Sequence, residues 1–142
     1  MIPKFRAWDK EENRMIYPST SGVCFELDDE GINILDVSGE YPDDHVFPKI
    51  DSILMQSTGL KDKNGVEIFE GNILRFVEVT NEGLFEYVTD VKWEDCSFVV
   101  KSGGKYYDTF LAAWSGDPDN TYPLFEMEVI GNIYENPKLL EK

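Results

Sequence analysis

"TGLKDKNGVEIFEGNILRF" (Thr58–Phe76) crowds turn-forming residues between short apolar steps, and its reading decides the fold. Three kinds of ligand loop come close to it and fail on spacing. An EF-hand loop needs oxygen ligands at positions one, three and five, glycine at six and a glutamate at twelve, between two helices. Counting from Asp62, Asn64 takes position three, but Gly65 arrives at four and Val66 stands at five. A Walker loop needs GxxxxGK and then Ser or Thr. Gly59 and Gly65 are one residue too far apart, and Val66 stands where lysine should be. No GxGxxG step opens a helix either. A hairpin accounts for the whole stretch. Asn64-Gly65 is a strong hairpin signal, with Leu60 before it and Val66 and Ile68 resuming strand alternation after it. Glu70-Gly71-Asn72 is a second turn that redirects the chain into "ILRFVEV".

Strand signals recur at short spacing on both sides, and helical periodicity is nearly absent, which argues for a mainly β barrel or sandwich. Upstream, "KFRAW" and "MIY" flank "DKEENR" as one hairpin. "VCFELDDEGINILDV" forms a second, in which Val23, Phe25 and Leu27 alternate with polar residues, the turn falls at "DDEG", and Ile32 and Ile34 resume. "SGEYPDDHVFP" is an expected mobile loop, and "KIDSILMQST" a strand. Downstream, "TNEG" is a turn. "FEYVTDVKWED" reads as one long strand, with Tyr87, Thr89, Val91 and Trp93 on one face and Asp90, Lys92 and Glu94 on the other. "SFVVKSGGKYY" is a hairpin with Gly103 and Gly104 at its tip. "TFLAAW" fits a helical turn or a strand, "SGDPDNTYP" is a loop, and "FEMEVIGNIY" closes the sheet. In "ENPKLLEK", Asn136 suits an N-cap and Pro137 the first helical position. A short C-terminal helix is expected there, with Leu139 and Leu140 packed back onto the barrel.

"KFRAWDKEENRMIY", "LMQSTGLKDKNGVEIFEGNILRF" and "EVIGNIYENPKLL" resemble the YopX family, small proteins of phages and prophages in mostly Gram-positive bacteria. The matching blocks fall at the start, middle and end, while Pro18–Pro48 carries no match. The resemblance implies a mainly β fold with an SH3-like small barrel. The expected organisation is an N-terminal β-hairpin arm over 1–57 and the barrel with its short C-terminal helix over 58–142, together one unit. The family usually has aspartate in its "EGD" step; Asn72 replaces it here, keeping the turn and dropping a charge. The resemblance brings no catalytic residue and no established activity.

The 142 residues carry 42% apolar and 13% aromatic residues, a globular composition. At this length a chain buries roughly two-thirds of its unfolded surface and needs no metal or disulfide to build a core. No apolar run approaches the roughly 20 residues that span a bilayer, and "MIPKFRAWDKEENRM" has no secretory apolar region, so the bacterial host cytosol is the expected location. Cys24 and Cys96 lie far apart in β-like runs, outside any CxxC pair, and are expected as reduced, mostly buried thiols. A catalytic cysteine would need a base, and His45 is the chain's single histidine.

Net charge is −15, which disfavours direct binding of nucleic acid and of anionic membranes. Pro18–Pro48 holds eight acids and Tyr106–Asn136 six, and neither stretch contains Lys or Arg. Such surfaces are ordinarily solubilising; a sharper reading is a face that meets a basic partner. "DPDNT" (Asp117–Thr121) matches the DxDxT step of aspartyl-phosphate phosphatases, but no βαβ core follows to complete that site. "GEYPDD" (Gly39–Asp44) lies upstream, the wrong order for the partner motif. Asp43, Asp44 and His45 lack further His or Cys residues for a zinc site. Trp8, Trp93, Trp114, Tyr106 and Tyr107 could stack bases, yet 13 basic against 28 acidic residues leave no basic groove, so core packing is expected of them.

No catalytic, cofactor-binding or metal-ligating residue is assigned, and no cofactor is expected. The reading is a non-catalytic accessory protein that binds protein partners and self-associates through sheet edges. One alternative is an acidic DNA mimic that inhibits a basic nucleic-acid-binding host protein. Another is a metal-assisted hydrolase built on clustered carboxylates.

Overall fold

The computed structural model describes residues 4–39, 46–80, 82–94, 96–102, 106–109 and 125–141. These residues form twelve strands and one 3-10 turn, with no α-helix among them. The chain divides into two compact units, Pro3–Gln56 and Ser57–Lys142, the latter joined by Met1–Ile2.

In the first unit, β1 (Phe5–Asp9) pairs antiparallel with β2 (Arg14–Ile16), Ala7 facing Ile16. The buried Asp9 carboxylate organises their turn. It accepts the amides of Glu11 (3.0 Å) and Glu12 (3.2 Å) and pairs with Arg14 Nε at 3.3 Å. β3 (Val23–Asp28) and β4 (Gly31–Asp36) form the second hairpin. The Lys49–Ile50 segment runs beside β4, where Ile50 N donates to Ile34 O at 2.8 Å. β5 (Ser52–Lys61) gives its first half to this unit, pairing with β1 from Ser52 opposite Asp9 to Gln56 opposite Phe5. The sheet of this N-terminal part curls into a half-barrel. Ala7, Ile16, Val23 and Ile34 form its core, flanked by Phe25, Ile32 and Ile50. Alternation sets that core, because residues two apart along a strand share a face.

The second unit takes the rest of β5 and β6 (Glu67–Phe69), paired across a bulge. At the bulge Gly59 has φ +80°, and the Thr58 hydroxyl replaces ladder bonds, donating to Ile68 O at 2.8 Å and accepting Leu60 N at 3.1 Å. β7 (Asn72–Thr80) lies between β8 (Gly83–Asp90) and β12 (Phe125–Asn132) in an antiparallel sheet. A second sheet runs β11 (Tyr106–Thr109), β10 (Ser97–Ser102), β9 (Lys92–Glu94). Ile68, Leu74, Phe76, Val91, Val100 and Met127 make the core, and the Phe76 and Tyr87 rings stack with centroids 5.3 Å apart. The expected hairpins, including β10–β11, all form; Gly103 and Gly104, expected at the tip of that one, lie outside the described residues.

Three expectations need correction. "FEYVTDVKWED" is two strands, not one. Thr89, Asp90 and Val91 are consecutively buried, so alternation ends there, and Val91 exchanges backbone bonds with Gly71 (2.8 Å) and Asn72 (3.0 Å) as the chain leaves one sheet for the other. Trp93 is consequently 46% exposed, edge-on to Phe98, and not core. Both thiols are free and exposed: Cys24 alternates with the inward Val23 and Phe25, and Cys96 sits in the β9–β10 turn at φ +62°. The C-terminal helix is only the 3-10 turn Pro137–Leu140, with no side-chain cap and no buried residue. Asn136 Oδ1 accepts Asn132 N at 3.2 Å instead of capping; the turn does lie back against β8, with Leu139 41% and Leu140 38% exposed.

Candidate interaction surfaces

The Asn64-Gly65 turn is built around Asp62. Gly65 N donates to Asp62 O at 3.0 Å, Asp62 N donates to Val66 O at 2.9 Å, and Gly65 has φ +81°. That is a three-residue hairpin loop with a glycine bulge, not the two-residue turn that Asn-Gly most often forms. Asp62 Oδ1 accepts Asn64 N (2.9 Å) and Val66 N (2.8 Å), while Oδ2 crosses to Val129 N of β12 at 2.8 Å. Lys63 N donates to Met127 O at 3.0 Å, and its ammonium lies 3.8 Å from both Glu126 and Glu128. The turn therefore covers the outer edge of β12, satisfying backbone groups that an open edge would leave for another strand. Burial alone would raise the Asp62 pKa. The amides of Val129, Val66 and Asn64, helped by Lys63, outweigh it and hold the carboxyl below its ordinary value. Both oxygens of Asp62 thus accept backbone N–H groups and tie the turn together.

Asn72 plays a parallel role at the second turn. It is buried; Oδ1 accepts Phe69 N at 2.7 Å and Nδ2 donates to Gly131 O at 3.2 Å. Beyond keeping the turn and dropping a charge, the carboxamide uses both ends, because an amide, unlike a carboxylate, can accept from one strand and donate to the other.

Among the described residues β8 is an edge strand of its sheet, with no turn bonded along it as the Asp62 turn is along β12, although the 3-10 turn Pro137–Leu140 lies against it. Leu84 is 72%, Phe85 48% and Val88 38% exposed. The strand contains no Lys, Pro or Arg to discourage pairing. Its Glu86 is tied inward to Arg75 at 3.6 Å, and Arg75 also pairs with Glu128 at 2.7 Å. Periodicity does not reveal this surface, since "GLFEYVTD" alternates like any half-buried strand.

A second surface lies on the β3–β4 hairpin of the first unit, an open cleft of about 770 Å³ lined by residues 24–27 of β3 and by Leu35, Val37, Val46, Phe47 and Lys49. At the hairpin turn, Asp28 accepts Glu30 N at 2.8 Å and bonds the Asn33 amide. Those two bonds hold its carboxyl below the ordinary range.

Asp43, Asp44 and His45, and with them most of the loop expected to be mobile, lie outside the described residues. So do the part of "TFLAAW" after Thr109, which ends β11, Trp114 included, and the DxDxT step Asp117–Thr121. Trp8 is buried as expected. Among the described residues no three His, Cys, Asp or Glu side chains cluster as a metal site, and no helix is long and apolar enough to cross a membrane.

A β-rich chain with two antiparallel units and sheet edges of unequal protection is the class of protein these features define. Its family model is the YopX protein, matched over residues 4–141, and the chain belongs to the YopX family. It is similar to the crystal structure of protein EF1440 from Enterococcus faecalis, at 33% identity and TM-score 0.58 over 99% of each chain. It also shares the fold of yopX from Bacillus subtilis, at 24% identity and TM-score 0.61, over 96% of this chain and 97% of that one. No curated protein matches the chain significantly.

Proposed function

We propose that this YopX-family chain is a non-catalytic protein-binding module that associates with itself through the open edge of β8, acting as a phage or prophage accessory protein in the host cytosol. The exposed Leu84, Phe85 and Val88 on a strand without Lys or Pro carry the reading. An unprotected apolar edge favours pairing with another strand. We read the second unit as an SH3-like small barrel; the change of sheet at Val91 and the shared core of both its sheets support this. Sedimentation velocity tests the association. Wild type should sediment as more than one chain, and Leu84→Lys with Val88→Lys should return it to a single chain. A wild type that stays monomeric at tens of micromolar rules the reading out.

The acidic stretch Pro18–Pro48 supports a second reading, mimicry of DNA toward a basic nucleic-acid-binding protein. Moderate salt should then release the captured partner. The hydrolase alternative rests on Asp43, Asp44 and Asp117, outside the described residues. Calorimetric titration with Mg, Mn and Ca ions is its direct check.

A further inference from the structure

We infer that the cleft on the β3–β4 hairpin receives an extended segment of a partner protein, with branched or aromatic residues flanked by Lys or Arg. The inference rests on the reading of the chain as a protein-binding module and names a second surface for it. Cys24 and Leu35 face each other across the hairpin, on the side opposite the core pair Phe25 and Ile34. Alternation should make that outward side polar. Instead Cys24, Leu35 and Val37 give it an apolar surface, and Phe25 and Leu27 (80% exposed) of the other face, with Val46 (69% exposed), line the same cleft. Apolar area gathered into one concavity is what a binding site offers, since its burial is favourable by about 25 cal/mol per Å².

Charge selects the occupant. The lining itself holds one acid, Glu26, and one base, Lys49, while Asp28, Asp29, Glu30 and Asp36 add four acids on the same hairpin, which has neither Lys nor Arg. An acidic apolar segment would be repelled, and one with basic flanks is drawn in and oriented. The cleft also adjoins an available strand edge. β4 lies on one side of β3, and among the described residues no strand pairs with the other side. An extended segment could add there by main-chain bonds while its alternate side chains enter the cleft.

Fluorescence anisotropy tests this with three short fluorescein-labelled peptides: a Leu-Val-Phe core between Lys-Arg pairs, the same core between Glu-Asp pairs, and an all-arginine peptide. The titrations use the Leu84→Lys and Val88→Lys chain, so that self-association, read separately by sedimentation, does not contribute. The first peptide should bind saturably and the other two at least about tenfold more weakly. Val46→Ser, an exposed change that removes the apolar contact without adding charge, should weaken the first peptide about tenfold, the size of effect expected at an anchor position. Equal binding of the all-arginine peptide would mean that charge alone attracts ligands, and would overturn the inference. So would absent binding of the first peptide, or binding indifferent to Val46→Ser in a variant whose thermal unfolding matches the parent.

Discussion

Asp62 Oδ2 and the backbone amide of Val129 meet at 2.8 Å across 67 positions of sequence. The same carboxylate closes its own turn through Oδ1. One side chain thus sets a local loop and docks it on a distant strand. Asp62→Asn keeps the size and one acceptor, but turns an N–H donor toward either the turn amides or Val129. Bonds to a charged group contribute about 1.5–3 kcal/mol each, and a donor left facing a donor costs about as much. The variant should unfold at lower urea with an unchanged m value; an unchanged midpoint would show that the bridge does not hold the turn.

The pH dependence follows from the same carboxylate. Its folded pKa lies below the unfolded value, so ionisation favours the folded state. The contribution is fully present above the unfolded value of about 3.9 and is lost as pH falls through the lower folded pKa. Urea midpoints of wild type and Asp62→Asn should therefore differ by a constant amount near neutrality and converge in acid. Asp28 is also depressed, but it is fully exposed and should contribute little to this difference.

Asn72→Asp tests whether the carboxamide is needed as a donor. A carboxylate there would still accept Phe69 N but would turn an oxygen toward Gly131 O, now 3.2 Å from Nδ2. The buried repulsion should cost about 1–3 kcal/mol near neutral pH. Burial and the facing carbonyl would raise the pKa of the new aspartate, so acidification should restore part of the loss. Parallel melting curves for variant and wild type across acid pH measure that recovery.

The two exposed thiols should react with an aromatic disulfide reagent in the native protein, without denaturant. Two equivalents should be released per chain, at rates similar to those of the unfolded chain. Protection of either thiol until unfolding would contradict its placement.

Local chemistry made the hairpins legible in advance. Turn residues at Asn64-Gly65 and around Gly31, and alternation through Val23, Phe25 and Ile34, depend on neighbours a few positions away. So did the turn at Gly71, which has φ +85°. Three matters lay beyond that reach. Whether the Val91 segment continues a strand or changes sheet depends on its bonds to Gly71 and Asn72, about twenty positions upstream. Whether Cys24 is buried depends on which face of β3 meets β1 and β2, since either face of an isolated hairpin could be covered. Whether Asn136 caps a helix depends on Asn132 competing for its carboxamide.

The stretch Thr58–Phe76 shows the same division. By itself the sequence determined that it turns twice and departs from the ligand spacing of EF-hand and Walker loops, because those sites demand a fixed spacing along the chain. Only the tertiary structure decided what Asp62 and Asn72 are for. Their partners, Val129 and Gly131, stand on a strand more than fifty positions away, which alternation and turn propensity do not bring near. The same long-range pairing covers the β12 edge, while among the described residues no strand or turn pairs along β8, because such cover depends on what packs alongside a strand.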